Sequence, residues 1–142
     1  MPTKYPNPAM HIGTQLAVFL ENRPGTLARV CEAMAEAKIN IYAISTSDTV
    51  DHTVLRMVVS DPRKALFLLE ERGTLAVESE VLLLEGKNRP GALASIARRL
   101  GEAKLNVDYC YCASGPKNKR GLLVLRVQNA KKALKVLSKA AS

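Results

Sequence analysis

Aromatic residues are scarce in this sequence, which has no tryptophan, two phenylalanines and four tyrosines in 142 residues. Proteins that bind single-stranded RNA on a sheet stack its bases on aromatic side chains. Long apolar runs are also missing, since runs such as Val81–Leu84 are far shorter than the roughly 20 residues that cross a bilayer. These absences argue against nucleic acid and against a membrane as partners.

Cysteine and histidine are few, with three cysteines at no framework spacing and two histidines. An odd, unpaired set of cysteines is typical of the reducing cytoplasm, where we expect this protein to be. Cys110 and Cys112 share one strand face and could bind a soft metal, but no histidine accompanies them, and we interpret them as buried and inert. The sequence has no Ser-His-Asp set, phosphate loop or zinc signature. It therefore predicts no catalytic residue, no metal site and no cofactor.

Negative charge is scarce in the second half of the chain. Residues 80–142 hold thirteen basic and four acidic side chains, residues 13–79 hold seven basic and nine acidic, and the net charge is +8. A basic half favours an anionic partner. The alternative, which we weigh more heavily, is that the lysines only solvate the helix faces.

An internal repeat is the most informative feature that the sequence does contain. Asn-Arg-Pro-Gly at residues 22–25 recurs at residues 88–91, and 10 of 20 positions are identical between 22–41 and 88–107. Farther along, Lys-Ala-Leu recurs with two extra residues between the middle strands of the second copy. The chain is therefore a duplicated unit.

Each copy has the same pattern of elements. A short apolar strand leads to a turn whose asparagine can cap a helix and whose proline suits a first helical turn. Two alternating strands and a second helix follow, opened by Asp61-Pro62 in the first copy and by Asn129 in the second. The order βαββαβ predicts an α+β, ferredoxin-like antiparallel sheet with both helices on one face.

The predicted organisation has three parts. Residues 1–13 are expected to form a flexible N-terminal tail, residues 14–79 the first unit and residues 80–142 the second. The second unit ends directly after its second helix and so lacks its own last strand. We therefore expect the two units to share strands, in one continuous sheet or in a swapped arrangement, because an uncovered strand edge invites pairing.

The turn between the first strand and the first helix is the candidate site in both copies. A helix N-terminus presents free N–H groups and a partial positive charge, which suits a carboxylate. Glycine lets a ligand approach the backbone closely, and an asparagine side chain offers donors and an acceptor to an amino acid. The same residues are also what any strand-to-helix turn requires. The residues alone leave these two interpretations equal.

These motifs resemble the ACT domain, a family of regulatory domains of amino-acid metabolism. The resemblance carries through Glu-Ala-Lys-Ile-Asn-Ile at residues 36–41 and Glu-Ala-Lys-Leu-Asn-Val at residues 102–107. It implies effector binding where units meet, by the turn asparagine and by the asparagine that precedes the second strand. The resemblance assigns these two roles to Asn22 and Asn88 and to Asn40 and Asn106. Together with the turns and the helix N-termini, the predicted ligand-binding residues are Asn22, Arg23, Pro24, Gly25, Thr26, Leu27, Asn40, Ile41, Asn88, Arg89, Pro90, Gly91, Ala92, Leu93, Asn106 and Val107.

The resemblance also narrows the choice of ligand. Serine-sensing phosphoglycerate dehydrogenases carry a histidine two residues before the turn asparagine, where this chain has Leu20 and Gly86. Serine is therefore a poor expectation. The second copy, with Asn106-Val107-Asp108, is also similar to the aspartokinase version, for which the resemblance implies lysine or threonine as effector.

Three functions are compatible with this pattern. The first, which we favour, is a non-catalytic sensor of an amino acid or similar small polar ligand, a homodimer acting on a separate regulated protein. The second is an RNA-binding protein of the same topology, against which the strand Lys-Arg-Gly-Leu-Leu-Val-Leu at residues 119–125 lacks any aromatic residue. The third is a purely structural dimerisation module whose asparagines only stabilise turns.

Overall fold

The computed structural model describes residues 10–139 of the chain. Ten elements follow one another within this range. They are β1 (Met10–Glu21), α1 (Thr26–Glu36), β2 (Ile41–Asp48), β3 (His52–Val59), α2 (Pro62–Glu71), β4 (Ala76–Lys87), α3 (Ala92–Glu102), β5 (Val107–Ala113), β6 (Arg120–Val127) and α4 (Ala130–Lys139).

The first compact unit is Thr14–Ser79. In it, β3 lies between β2 and β1 and runs antiparallel to both. The start of β4 lies on the other side of β1, where Phe19 N–H donates to the Leu75 carbonyl at 3.0 Å. Because side chains alternate along a strand, one face of β1 packs against both helices. The buried core of this unit comprises Leu16, Val18, Leu20, Val30, Ala33, Met34, Ile39, Leu55, Met57, Val59, Ala65 and Leu69.

The second compact unit joins residues 10–13 to residues 80–139. β6 lies between β4 and β5 and runs antiparallel to both, while β1 is the other neighbour of β4. Met10 and Ile12 pack against the core formed by these strands and by α3 and α4. Each unit is thus a complete four-stranded set with two helices on one face, and the predicted α+β, ferredoxin-like fold is confirmed.

The predicted flexible tail is wrong for residues 10–13. These residues belong to β1, and their apolar side chains occupy the place of the last strand that the second unit lacks. The prediction that the units share strands is therefore correct in this respect. The rest of the predicted tail, residues 1–9, lies outside the described residues.

The helices begin in two different ways. Asp61 Oδ1 accepts from Lys64 N–H at 3.1 Å and Asn129 Oδ1 accepts from Lys132 N–H at 3.0 Å, so α2 and α4 have the side-chain caps that the sequence predicts. By contrast, the N-cap residues of α1 and α3 are Gly25 and Gly91, and neither helix has a side-chain cap.

The predicted caps of α1 and α3 are therefore wrong. Asn22 and Asn88 lie three residues before their N-cap glycines, in the turn rather than at the helix end. Pro24 and Pro90 also precede the helices instead of standing in the first helical turn. None of the four helices in residues 10–139 is long and apolar enough to cross a membrane.

The shared strand makes a testable prediction about stability. Replacing the half-buried Ile12 by Ala should lower the free energy of unfolding by about 1–2 kcal/mol, because it removes apolar contact with the core of the second unit. The exposed neighbour His11 is the matched control, and His11→Ala should change the free energy by less than about 0.5 kcal/mol. Urea unfolding monitored by circular dichroism would measure both values, and equal effects would contradict the packing described here.

Candidate ligand-binding site

The Asn-Arg-Pro-Gly turn has the same backbone in both units. Gly25 has φ 91° and Gly91 has φ 89°, both in the left-handed region that other residues adopt only at a cost. Each glycine redirects the chain from the turn into its helix and adds no side chain above the first helical turn. An added Cβ at either glycine would meet no atom within 4 Å. The space next to each helix N-terminus is therefore open.

The asparagine of each turn binds the neighbouring hairpin. Asn22 Nδ2 donates to the Thr49 carbonyl at 3.0 Å, and Asn88 Nδ2 donates to the Gly115 and Asn118 carbonyls at 3.2 and 3.0 Å. Because carbonyl oxygens accept only, the amide nitrogen must face them. The predicted role of these side chains is thus corrected in part: their N–H donors stabilise the fold and are not available to a ligand.

Some of the backbone N–H donors predicted to bind a ligand at the turns are already hydrogen-bonded. Thr26 N–H points to the Arg23 carbonyl at 3.4 Å, and Ala92 N–H points to the Arg89 carbonyl at 3.2 Å. These two predicted donors therefore already have acceptors within the turn. The N-termini of α1 and α3 nevertheless carry the partial positive charge of the helix and have no side-chain cap. The helices α2 and α4, by contrast, have side-chain caps.

The asparagines before the second strands lie far from the turn of their own unit. Glu21 is opposite His52 at one end of β3, and Ile41 is opposite Val59 at the other end. At about 3.4 Å per residue, Asn22 and Asn40 are therefore roughly 24 Å apart. Asn40 N–H donates to Ser60 Oγ at 2.9 Å, and Asn106 Nδ2 donates to Asp108 Oδ1 at 3.0 Å. A single unit does not bring its two asparagines to one small ligand.

A cavity of about 510 Å³ lies in the second unit, beneath the start of α3. Its volume is in the range of small-molecule sites, roughly 300–1,000 Å³. Five predicted site residues line it, namely Asn88, Arg89, Gly91, Ala92 and Leu93, whereas Pro90, Asn106 and Val107 do not. The other lining residues are Met10, Leu84, Glu85, Gly86, Lys87, Ser95, Ile96, Arg99, Cys112, Ser114, Gly121, Leu122, Leu123 and Leu137.

Gly86 leaves part of this space open, because no atom lies within 4 Å of where its Cβ would stand. Gly86 on β4 is opposite Gly121 on β6, and Ser114 lies next to Gly121, with its Cβ 2.9 Å from where a Gly121 Cβ would stand. In the first unit, the same positions of the repeat hold Leu20 opposite Thr53. Leu20 is only 8% exposed and belongs to the core. The position that is open at Gly86 in the second unit is therefore filled by the Leu20 side chain in the first.

The charge of the two turns also differs. In the first unit, Arg23 Nη2 lies 3.2 Å from Glu21 Oε1, so an acidic neighbour partly neutralises the turn arginine. The second unit has Lys87 at the position of Glu21, next to Arg89. Both of these cations line the cavity, together with Glu85. The second turn is therefore the more cationic of the two.

Deeper in the cavity, Arg99 joins the two helices of the second unit. Its Nη2 donates to the Leu137 carbonyl of α4 at 2.8 Å. Its Nε is buried and has no hydrogen-bond partner among residues 10–139. The corresponding residue of the first unit is Ala33, which is buried in the core. Arg99 is thus a third respect in which the repeated units differ around this space.

The cysteines are not placed as the sequence predicts. Cys110 and Cys112 are exposed rather than buried, since β5 is an edge strand of its unit, and Cys112 lines the cavity. Cys31 on α1 is half-buried. Within the described range, no group of three His, Cys, Asp or Glu side chains could hold a metal ion.

Comparison with known families identifies this architecture. A family model described as an ACT domain pair matches residues 10–141. The chain belongs to the ACT domain pair family. This confirms the resemblance found in the repeated motifs, and ACT domains are regulatory domains. No curated protein matches the chain.

Solved structures with the ACT fold cover nearly the whole chain. A protein from Bacteroides thetaiotaomicron is 31% identical with a TM-score of 0.86, over 93% of this chain and 90% of that one. The ligand-free regulatory subunit of aspartate kinase from Thermus thermophilus is 18% identical with a TM-score of 0.68, over 94% and 99%. Aspartokinase alpha and beta subunits are 20% identical with a TM-score of 0.65, over 93% and 96%. At such identities the two kinase structures show the shared fold alone.

Several cavity residues of the second ACT unit were not predicted, above all Gly86, Gly121 and Arg99. A signal was present in the sequence, because comparison of the two copies places Gly86 against Leu20 and Arg99 against Ala33. A small residue replacing a large one at a core-facing strand position indicates a space in one copy. The predicted binding role of the remaining site residues stays a prediction.

The left-handed glycines make a prediction with a control in the same helix. Gly91→Ala should destabilise the protein by about 1–2 kcal/mol, because φ 89° is unfavourable for any residue with a Cβ. Gly101→Ala, within α3 and with open space around its Cβ, should be neutral or stabilise by up to about 1 kcal/mol. Urea unfolding of both variants gives the comparison. A stabilising Gly91→Ala would rule out the turn geometry described here.

Proposed function

We propose that this chain is a non-catalytic regulatory protein that binds an amino acid or a similar small polar ligand at its Asn-Arg-Pro-Gly turns. One observation carries the proposal: the two helices that follow these turns lack side-chain caps, and the second opens on a cavity of about 510 Å³. An uncapped helix N-terminus stabilises a bound carboxylate. Membership of the ACT domain pair family supports the same function.

The turn arginines are the side chains that we assign to the ligand carboxylate. Asn22 and Asn88 use their amide N–H groups to bind the hairpin carbonyls, so replacing them would disturb the turn itself. Arg23 and Arg89 are exposed at the same turns and carry the charge that a carboxylate requires. Variants of the arginines therefore test binding more cleanly than variants of the asparagines.

The mechanism that we propose is a shift between two packings of the protein. A ligand that contacts one packing better than another stabilises it by the difference in binding free energy. A regulated protein partner then recognises the stabilised packing. The three free cysteines favour a reducing compartment, and we propose the cytoplasm as the site of action.

The test of binding is a titration of the chain with each of the twenty amino acids. At least one should raise the melting temperature in a saturable way and give a defined Kd by calorimetry. Arg89→Ala should weaken that binding about tenfold, since a charge-assisted hydrogen bond contributes about 1.5–3 kcal/mol. Arg98→Ala, which removes the same charge from the exposed face of α3, is the control and should leave Kd unchanged. No response to any amino acid at millimolar concentration would exclude the function.

We also propose that the chain is a homodimer. Asn40 and Asn106 lie at the far end of their own units from the turns, so a turn and such an asparagine can meet one ligand only when they come from different units, which a second copy of the chain would supply. Sedimentation velocity should give twice the chain mass, and saturating ligand should shift any monomer towards dimer. A monomer at all concentrations, with and without ligand, would contradict this part of the proposal.

A further inference from the structure

The two ACT units do not offer equivalent sites. We propose that the second unit alone admits the side chain of the ligand, and that this ligand is a small carboxylate with an aliphatic or aromatic tail. The inference rests on the proposed function and deepens it, because it names the class of ligand and the residues that select it. Gly86 is the specificity-determining position.

Beside Arg99, whose Nη2 donates to the Leu137 carbonyl, the inner wall of the cavity is formed by apolar side chains. Leu84, Leu123 and Leu137 are 7%, 9% and 2% exposed, and all three line the space as members of the core of the second unit. Ile96 of α3 covers them from above as a partly buried neighbour of the same core. A polar tail placed against this wall would lose its hydrogen bonds to water without replacement, whereas an apolar tail would be stabilised by burial.

The outer rim of the cavity is cationic. Lys87 and Arg89 are exposed there, and the uncapped N-terminus of α3 adds its partial positive charge. Glu85 is the one acidic side chain among the lining residues. A carboxylate therefore binds at the rim, next to the turn, and its tail points inward along α3. The cationic rim and the leucine side chains of the inner wall together define the ligand class.

The first unit differs from this arrangement both at the inner wall and at the rim. Leu20 occupies the position that Gly86 leaves open in the second unit, and Glu21 pairs with Arg23 where the second unit has Lys87. The apolar tail has no corresponding space at the position filled by Leu20. Ligands of this class consequently bind once per chain.

Gly86→Leu is the decisive variant, because it gives the second unit the residue of the first. An added Cβ at Gly86 meets no atom within 4 Å, so the variant is expected to fold with a melting temperature equal to or above that of the wild type. Thr53→Val is the matched control, because it replaces one side chain by another of nearly the same shape in the strand pair of the first unit that holds Leu20. Both proteins and the wild type are titrated with leucine, phenylalanine, hexanoate, hexylamine and serine by calorimetry.

The expected result for the wild type is one site per chain for leucine, phenylalanine or hexanoate, with Kd at least tenfold lower than for serine or hexylamine. Gly86→Leu should raise that Kd at least tenfold, and Thr53→Val should leave it unchanged. Methyl NMR gives a second readout that does not depend on a variant. The ligand should shift the methyl signals of Leu84, Leu123 and Leu137 and leave those of Leu55 and Leu69, the counterparts of Leu123 and Leu137 in the first unit, in place.

The outcomes separate this inference from the function on which it rests. Amino acid binding that is unaffected by Gly86→Leu, or that occurs at two equal sites per chain, overturns the inference and leaves the regulatory function standing. Binding of hexanoate that Gly86→Leu abolishes, without binding of any amino acid, supports the cavity and refutes the amino acid function. No binding of any of these compounds refutes both.

Discussion

The left-handed glycine that ends each Asn-Arg-Pro-Gly turn is the constraint on which the site depends. A φ near 90° lets the chain leave its strand, turn and enter a helix without a capping side chain. The preceding asparagine then secures the turn to the hairpin beside it through its amide N–H groups. The helix N-terminus is left open as a direct consequence, because the residue able to cap it is used elsewhere. The stability of the turn and the uncapped helix N-terminus arise from the same four residues.

The two units share one fold because they are copies of one sequence, and they differ in the residues around the cavity of the second unit. Both units keep the turn, the helix boundaries and the pairing of their middle strands, since the core of either unit requires all three. The second unit has glycine at both positions of a strand pair that is Leu20 and Thr53 in the first unit, and the missing side chain at Gly86 leaves a space. Such a loss costs stability unless something else fills the space. We infer that a ligand fills it, which is why the glycines bear on function rather than on folding.

Local sequence patterns predicted the caps of two of the four helices correctly and those of the other two wrongly. Asp61 and Asn129 directly precede their helices and cap them as predicted, because a cap depends only on neighbours in the chain. Asn22 shows the same residue type before a helix and was predicted to cap it. Its side chain instead binds the carbonyl of Thr49, a residue distant in sequence whose proximity only folding creates. The exposure of Cys110 was missed for a similar reason, since alternation along a strand does not tell which strand lies at an edge.

The sequence by itself determined the duplicated ferredoxin-like architecture, because hydrophobic periodicity and the internal repeat can be recognised without knowledge of contacts, and its repeated motifs carried the resemblance to the ACT family. It also located the turns of the candidate site. Only the tertiary structure decided that residues 10–13 complete the second unit, which depends on Met10 and Ile12 packing against a core assembled about seventy residues farther along the chain. The cavity likewise became visible only in three dimensions. Gly86 and Gly121 are far apart in sequence, and a space between side chains exists only where strand pairing sets two small residues side by side.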